Sequence, residues 1–213
     1  MECRSSTHYL DQILCHPESL LYCFGLLMHY LSSFHCLFCH GYEERGVASI
    51  GVLAIDLMAQ VPQITNGYAR NALQFSDDVT VYTNGSESVH AAMTSLLSTT
   101  AKAIKIDNRP IVRLVKGEKD AEVGIQFEDG SEIMHGFLVH GPRNEMDLDF
   151  AMDLNLEKMP SGGELKVSPP FNETTEPGCF AAGDIGSMGK IVIAGLAYGA
   201  FSAMGVVKQL QGY

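Results

Sequence analysis

Runs of apolar residues along the chain predict an α/β protein. Residues 47 to 60 are mostly apolar and predict a short buried strand that runs into a helix. Residues 79 to 83 show an alternating pattern and are rich in residues that favour β-structure, which predicts a second strand ended by the Asn84-Gly85 turn. Further helices are predicted at residues 68 to 75, 88 to 102 and 190 to 210.

A β-meander is predicted in the middle of the chain. Its strands cover residues 110 to 115, 122 to 127 and 133 to 139, and Asp129-Gly130 supplies a hairpin turn. The Gly141-Pro142 pair stops the meander. The following residues, up to 177, are rich in proline and glycine and predict loops.

Composition narrows the classes of function. The 213 residues are 46% hydrophobic, so a sizeable core can be buried, and the net charge is -11 with no basic tract. Nucleic-acid binding is excluded by this balance, because its affinity depends on Lys and Arg contacts to phosphates. We expect a cytoplasmic protein.

Residues 19 to 42 contain no Asp, Glu, Lys or Arg and raise the question of a membrane helix. Polar residues interrupt this window, among them His29, Ser32 and Ser33. We therefore expect a buried or loosely packed helix and no membrane partner.

The segment Cys36-Leu37-Phe38-Cys39 carries the first candidate chemistry. Two thiols at this spacing can close a disulfide or share a metal, and they can also pack as inert core residues. The flanking His35 and His40 could carry protons for thiol exchange. The four residues are too crowded to ligate one metal together, so no metal site is assigned.

A second signal lies in the run Gly178 to Ile185. It predicts a strand that ends in the Gly183-Asp184 turn and opens a helix, whose free N–H groups would stabilise negative charge on a flavin. An ordinary helix cap at Asp184 explains the dipeptide equally well. The small-residue helix that follows, with Lys190-Ile191 at its start, favours the flavin.

These features resemble a thioredoxin-reductase-like flavoprotein of the class II pyridine nucleotide-disulfide oxidoreductases, in the fungal branch that includes dithiol oxidases. The resemblance covers about residues 34 to 213. The stretches that carry it are His35 to Gly46, Val79 to Thr83, His135 to Pro142 and Gly178 to Leu210.

The resemblance implies roles for individual residues. Cys39 would lie against the flavin and Cys36 would exchange with the substrate, while His40 takes an acid–base position. In the second half, Asp184 after Gly183 would hold the ribityl chain, and Lys190-Ile191 would approach the isoalloxazine.

The chain also departs from the family pattern. No GxGxxG precedes the CxxC, so the N-terminal FAD-binding unit is expected to be missing. Gly51-Val52-Leu53-Ala54 replaces the Gly-rich turn of the nicotinamide half, and residues 83 to 88 lack arginines for a 2′-phosphate. NADPH is therefore not expected, and FAD binding is expected from the family but put in doubt by the missing unit.

The predicted fold is a truncated two-domain, thioredoxin-reductase-like FAD/NAD(P)-binding fold with a β-meander. Residues 1–33 form an atypical segment, 34–136 a degenerate NAD(P)-binding-like domain with the CxxC, and 137–213 the C-terminal part of an FAD-binding domain.

The predicted function is FAD-dependent thiol–disulfide exchange through a redox-active disulfide, with a small-molecule dithiol of fungal secondary metabolism or a protein disulfide as substrate. The resemblance allows a homodimer. Two alternatives stay open: a non-catalytic truncated relic or interaction protein, and a membrane-associated Cys/His metal protein.

Overall fold

A computed structural model of the chain describes residues 33–98, 104–141, 146, 148–160 and 163–212. The chain divides into two compact units, Met1–Pro142 and Arg143–Tyr213. The apolar run that begins at residue 19 lies mostly outside the described residues, as does nearly all of the atypical segment 1–33.

A parallel five-stranded sheet forms the centre of the first unit. Its order is β1-β8-β2-β3-β4, and neighbouring strands are paired in parallel. The central strand β2 is buried along its whole length, which explains its continuous apolar run. The strands are β1 Ser33–Phe34, β2 Ile50–Leu53, β3 Val79–Tyr82, β4 Lys105–Asp107 and β8 Phe137–Val139.

Helices cover this sheet with small and flexible apolar side chains. Ala69 and Ala72 from one helix and Met93 from another are fully buried in the core that they share with β2 and β3. Pro62 stands in the first turn of α3, and the Ser86 side chain accepts a hydrogen bond from Val89 N at the start of α4. The helices are α1 Leu37–His40, α2 Asp56–Gln60, α3 Pro62–Ala72 and α4 Glu87–Leu97.

The predicted meander is confirmed as a three-stranded antiparallel sheet in the order β5-β6-β7. Gly130 adopts a positive φ of 81° in the hairpin turn, and Asp129 Oδ1 accepts a hydrogen bond from Ser131 N. The strands are β5 Ile111–Lys116, β6 Val123–Phe127 and β7 Glu132–His135.

The single strand predicted over residues 133 to 139 is wrong, because the chain changes sheets within it. Its first half is β7 of the meander, and its second half is β8, which enters the parallel sheet between β1 and β2. Gly136 makes the crossing, since a side chain there would collide with Val47. The first unit therefore includes β8 and ends at Pro142, beyond the domain boundary predicted after residue 136.

Gly51 lies inside β2, not in the turn where a phosphate-binding glycine would stand. A Cβ there would lie 2.5 Å from Leu138 Cδ2 and 3.1 Å from the rings of His135 and Tyr82. The absence of a side chain at Gly51 thus lets three buried side chains meet over the middle of the sheet.

We expect Gly51→Ala to lower the free energy of unfolding by about 1–3 kcal/mol, because overpacking forces buried side chains off their rotamers. Urea denaturation of the whole chain measures this change. Gly67→Ala is the matched control, since Gly67 lies in α3 with open space at its Cβ position. Equal midpoints for the two variants would contradict the packing assigned to Gly51.

The second unit is held together by turns, isolated β-bridges and one long helix. Asp149–Leu154 and Gly183–Gly186 are 3-10 helices, and α5 covers Val192–Gln211. Gly205 of α5 lies against the Phe180 ring and the Cβ of Phe171, and Asn172 Nδ2 donates to Tyr198 O at 3.3 Å. These contacts fix one face of α5 to the loop-rich segment before it.

Candidate active site

The CxxC segment forms an accessible disulfide loop at the end of β1. Cys36 and Cys39 are disulfide-bonded, with their Cα atoms 5.3 Å apart, and Cys39 N donates to Cys36 O at 3.1 Å. Leu37 is buried and anchors the loop in the core, whereas Cys39 is exposed and Cys36 is partly exposed. A thiolate from solution can therefore reach the disulfide, as thiol exchange requires.

Both predicted histidines flank the disulfide loop in the sequence. His35 is exposed, and its backbone carbonyl accepts a hydrogen bond from the Tyr68 hydroxyl at 2.9 Å. His40 ends α1, and its side chain is not among those described. Their acid–base role stays a prediction.

Three neighbouring strands of the parallel sheet end on the same edge as the disulfide. The chain leaves β1 at Cys36, β8 at His140 and β2 at the turn before Asp56, and His140 N donates to Phe34 O at 3.1 Å. The strand order reverses between β2 and β8, and in open α/β sheets ligands bind in the crevice at such a point.

This crevice is filled by the chain's own side chains. His140 is fully buried, and its Nε2 lies 3.5 Å from Asp56 Oδ2. Met58 is also fully buried, and its sulfur accepts a hydrogen bond from Gly141 N at 2.8 Å. Asp56 adopts a φ of 49°, a left-handed conformation that glycine adopts more readily. A carboxylate and a thioether thus stand where a dinucleotide-binding turn would present glycine backbone.

A second polar cluster lies beneath the meander and was not foreseen from the sequence. Tyr82 Oη lies 2.7 Å from His135 Nε2, and Ser49 Oγ lies 2.8 Å from Nδ1 of the same ring. A neutral imidazole has one donor and one acceptor nitrogen, so Tyr82 and Ser49 play opposite roles toward it. The three side chains line a cleft of about 400 Å³.

Burial controls the charge state of this cluster. Desolvation lowers the pKa of His135 from 6.5 to about 4, and it also raises the pKa of the Tyr82 hydroxyl. Both side chains are therefore neutral near pH 7. They form a structural link between the two sheets of the first unit, since His135 belongs to β7 and Tyr82 to β3.

In the second unit, the residues predicted to hold a flavin form a compact turn. Lys190 Nζ donates to Asp184 O at 2.8 Å and to Ser187 O at 3.1 Å, and it also pairs with the buried Glu164 at 3.0 Å. Gly183 has a φ of 83°, and its Cα lies 4.0 Å from the position of a Cβ on Gly195. The lysine therefore ties the Gly183–Gly186 turn to the start of α5.

The prediction that the Gly183-Asp184 turn itself opens a helix is wrong in detail. The turn forms a short 3-10 helix, Ser187 is extended, and α5 begins only at Val192. Asp184 therefore does not cap α5. The glycines at 186 and 189 separate the two helices, because they favour irregular backbone over helix.

The start of α5 could stabilise negative charge, such as that on the pyrimidine edge of a flavin. Ile191 precedes the helix and makes no side-chain cap, so the first N–H groups of this 20-residue helix lack intrahelical partners. Ile191 and Val192 are largely exposed and could cover an apolar ring. The described part of this unit has no parallel sheet that could hold the adenine half.

Most of α5 is exposed despite its apolar sequence. By length and composition alone, α5 could cross a membrane. A single helix of this kind is weak evidence for a membrane protein. Within the described residues, no group of three or more His, Cys, Asp or Glu side chains could hold a metal ion.

Comparison with known proteins identifies the relatives of the chain. No family model matches it. Thioredoxin reductase aclD of Aspergillus oryzae is 42% identical over 179 residues, covering 84% of this chain and 56% of the relative. Thioredoxin reductase tcpT of Claviceps purpurea is 42% identical over 158 residues, covering 74% of this chain and 48% of the relative.

Solved structures share the fold. An oxidoreductase from Agrobacterium tumefaciens superposes with a TM-score of 0.67 at 24% identity, over 85% of this chain and 57% of that protein. Thioredoxin reductase from Giardia duodenalis superposes with a TM-score of 0.60 at 18% identity, over 94% of this chain and 62% of that protein. The chain spans about half the length of the curated relatives it matches, and it belongs with the thioredoxin-reductase-like oxidoreductases.

Proposed function

We propose that the chain is the part of an FAD-dependent thiol–disulfide oxidoreductase that oxidises a small-molecule dithiol, in fungal secondary metabolism. The observation that carries the proposal is the accessible Cys36–Cys39 disulfide at the carboxyl edge of a parallel sheet. Relatives named thioredoxin reductases support a redox role.

The cysteine pair accounts for the oxidation of the substrate. A substrate thiolate attacks one sulfur of the Cys36–Cys39 disulfide, which breaks the S–S bond and forms a mixed disulfide. The second substrate thiolate then attacks the substrate sulfur of that bond and releases the oxidised substrate. Two electrons remain on the two cysteine sulfurs, and His35 or His40 can take the released protons.

The turn before α5 supplies the residues that would hold the cofactor. Gly183 and Asp184 would hold the ribityl chain, and Lys190 and Ile191 would lie at the ring, with the helix N-terminus near its pyrimidine edge. FAD, when bound, would accept the two electrons, and oxygen can reoxidise a reduced flavin.

The filled crevice supports an oxidase that needs no NADPH. A pyrophosphate entering between β2 and β8 would meet the Asp56 carboxylate and the space taken by Met58. Repulsion between like charges and the loss of buried packing both oppose its binding. The proposal includes a cytoplasmic location, and the net charge of -11 supports the absence of a nucleic-acid partner.

A titration with FAD tests the cofactor part of the proposal. We expect the chain to acquire flavin absorbance near ~450 nm after removal of free FAD, and to unfold at a higher temperature when FAD is in excess. Asp184→Ala should weaken FAD binding about tenfold, because it removes a hydrogen bond to a charged acceptor. Asp153→Ala is the matched control, since Asp153 is likewise exposed and lies in the other 3-10 helix.

The same titration separates the main rival. A non-catalytic relic or interaction protein is favoured by the exposed apolar side chains of α5. Such a protein would show neither flavin absorbance nor stabilisation by FAD. That result would overturn the proposal that this chain holds FAD.

A further inference from the structure

Phe38 is the most exposed large apolar side chain of the disulfide loop. It lies between Cys36 and Cys39, and 91% of its surface is accessible. Its neighbour Leu37 points into the core and fixes the orientation of the loop. The buried Leu37 therefore holds Phe38 outward, at the position between the two cysteines in the sequence.

Tyr42 continues the apolar surface by one helical turn. Gly41 N donates to Leu37 O at 2.8 Å, so the helical path of α1 extends past His40 and brings positions 38 and 42 to one face. Tyr42 is 66% exposed, and the Arg45 guanidinium lies 4.0 Å from its ring centroid. This cation–π contact holds the tyrosine ring in place. We refer to Phe38 and Tyr42 as the aromatic pair.

The size of the aromatic pair favours a small ligand. Two aromatic side chains can bury about 150–250 Å² each, whereas a stable protein interface buries about 800 Å² on each partner. A single exposed apolar residue needs no explanation, but one member of this pair stands between the two cysteines of an accessible disulfide. A ligand with a single apolar ring is large enough to cover the aromatic pair.

The charges near the aromatic pair disfavour anionic ligands. Glu43 and Glu44 follow Tyr42, and burial together with Asp120 and Glu43 raises the pKa of Glu44. The nearest cation of this segment, Arg45, is already engaged with Tyr42 through its ring and its backbone carbonyl. An acidic thiol such as glutathione would meet like charge here.

We propose that the aromatic pair binds an uncharged apolar ring carried by the dithiol substrate, and so selects ring-bearing thiols for attack on the Cys36–Cys39 disulfide. The inference rests on the proposed function for the identity of the substrate. It concerns a binding step, however, that needs neither flavin nor oxygen.

Stoichiometric reduction of the disulfide tests the proposal. The oxidised full chain is mixed without FAD and without oxygen with benzyl mercaptan or 2-mercaptoethanol, and opening of Cys36–Cys39 is followed by alkylation and peptide mass spectrometry. We expect benzyl mercaptan to open the disulfide about tenfold faster, as an aromatic contact of ordinary strength allows. Phe38→Ala should remove this advantage, so that the two thiols open the disulfide at similar rates.

Val112→Ala is the matched control, since Val112 is an exposed apolar residue of β5. It should keep the full preference for benzyl mercaptan. The proposal is overturned if the wild-type chain shows no preference, if Phe38→Ala retains it, or if Phe38→Ala slows both thiols equally. Because the assay contains no flavin, a preference that disappears in Phe38→Ala would stand even if the chain never binds FAD.

Discussion

Changing Cys36 or Cys39 to serine should abolish the oxidation of a small dithiol by the chain. The wild-type protein carries a disulfide in its exposed loop, so we expect it to oxidise one dithiol per chain without cofactor. A single remaining thiol cannot store two electrons as a disulfide, so we expect the yield to fall from one oxidised dithiol per chain to none. Dithiothreitol under anaerobic conditions, with the oxidised product measured by absorbance, gives the readout.

Cys179→Ser is the control for this experiment. Cys179 is a free, partly exposed cysteine of the second unit, and its loss should leave the yield unchanged. Cys3, Cys15 and Cys23 lie outside the described residues, so the comparison is best made in a background where all three are serine. Oxidation that persists in Cys36→Ser within this background would show that the Cys36–Cys39 pair is not the electron acceptor.

The spacing of the two cysteines was enough to predict their pairing as one alternative, because residues three apart in a turn lie close together whatever surrounds them. The sequence could not choose among a disulfide, a metal site and an inert buried pair. The solvent exposure of the cysteines separates these alternatives. That exposure depends on how the loop is oriented, with Leu37 buried in the core and Phe38 exposed.

The strands that were predicted well from the sequence are those that are buried on both faces. β2 and β3 are buried on both faces, so each is rich in apolar and β-branched side chains. The short β4 was not predicted, because Lys105 and Asp107 give it a polar pattern at the edge of the sheet. The crossing at Gly136 was missed, since an apolar run on both sides of one glycine is equally typical of a single strand.

The polar contacts of the crevice and of the second polar cluster had no local signal in the sequence. Asp56 meets His140, and Tyr82 meets His135, across long stretches of chain that only the completed sheet brings together. Both histidines stand at strand ends within the resembling stretch from His135 to Pro142. A histidine at the end of a buried strand is a sequence signal for such a contact. It does not identify the residue that the histidine contacts.

The stability of the first unit should fall as the pH drops from about 6.5 to about 4, because His135 is buried in its neutral form. The unfolded chain takes up a proton on this imidazole below its ordinary pKa of about 6.5, whereas burial holds the pKa in the folded chain at about 4. The unfolded state therefore binds more protons in this window. The loss is roughly 3 kcal/mol across it, at 1.36 kcal/mol per pKa unit.

Nearby charges change this expectation little. Asp78 acts to raise the pKa of His135 and Lys105 acts to lower it, and the two side chains form an ion pair of 2.9 Å. Desolvation is the larger cause. Tyr82→Phe removes the hydroxyl beside His135 Nε2 but keeps the ring buried, so it should lower stability at every pH and preserve the slope.

His135→Gln should remove the slope that His135 causes, because glutamine can still hydrogen-bond to Tyr82 and Ser49 but does not titrate. Urea denaturation at a series of pH values gives the unfolding free energy of each protein. The difference between wild type and His135→Gln cancels the carboxylates that titrate in the same range. If that difference stayed constant between pH 6.5 and pH 4, His135 would be free to accept a proton in the folded chain, and the buried contact between the meander and the parallel sheet would have to open to admit it.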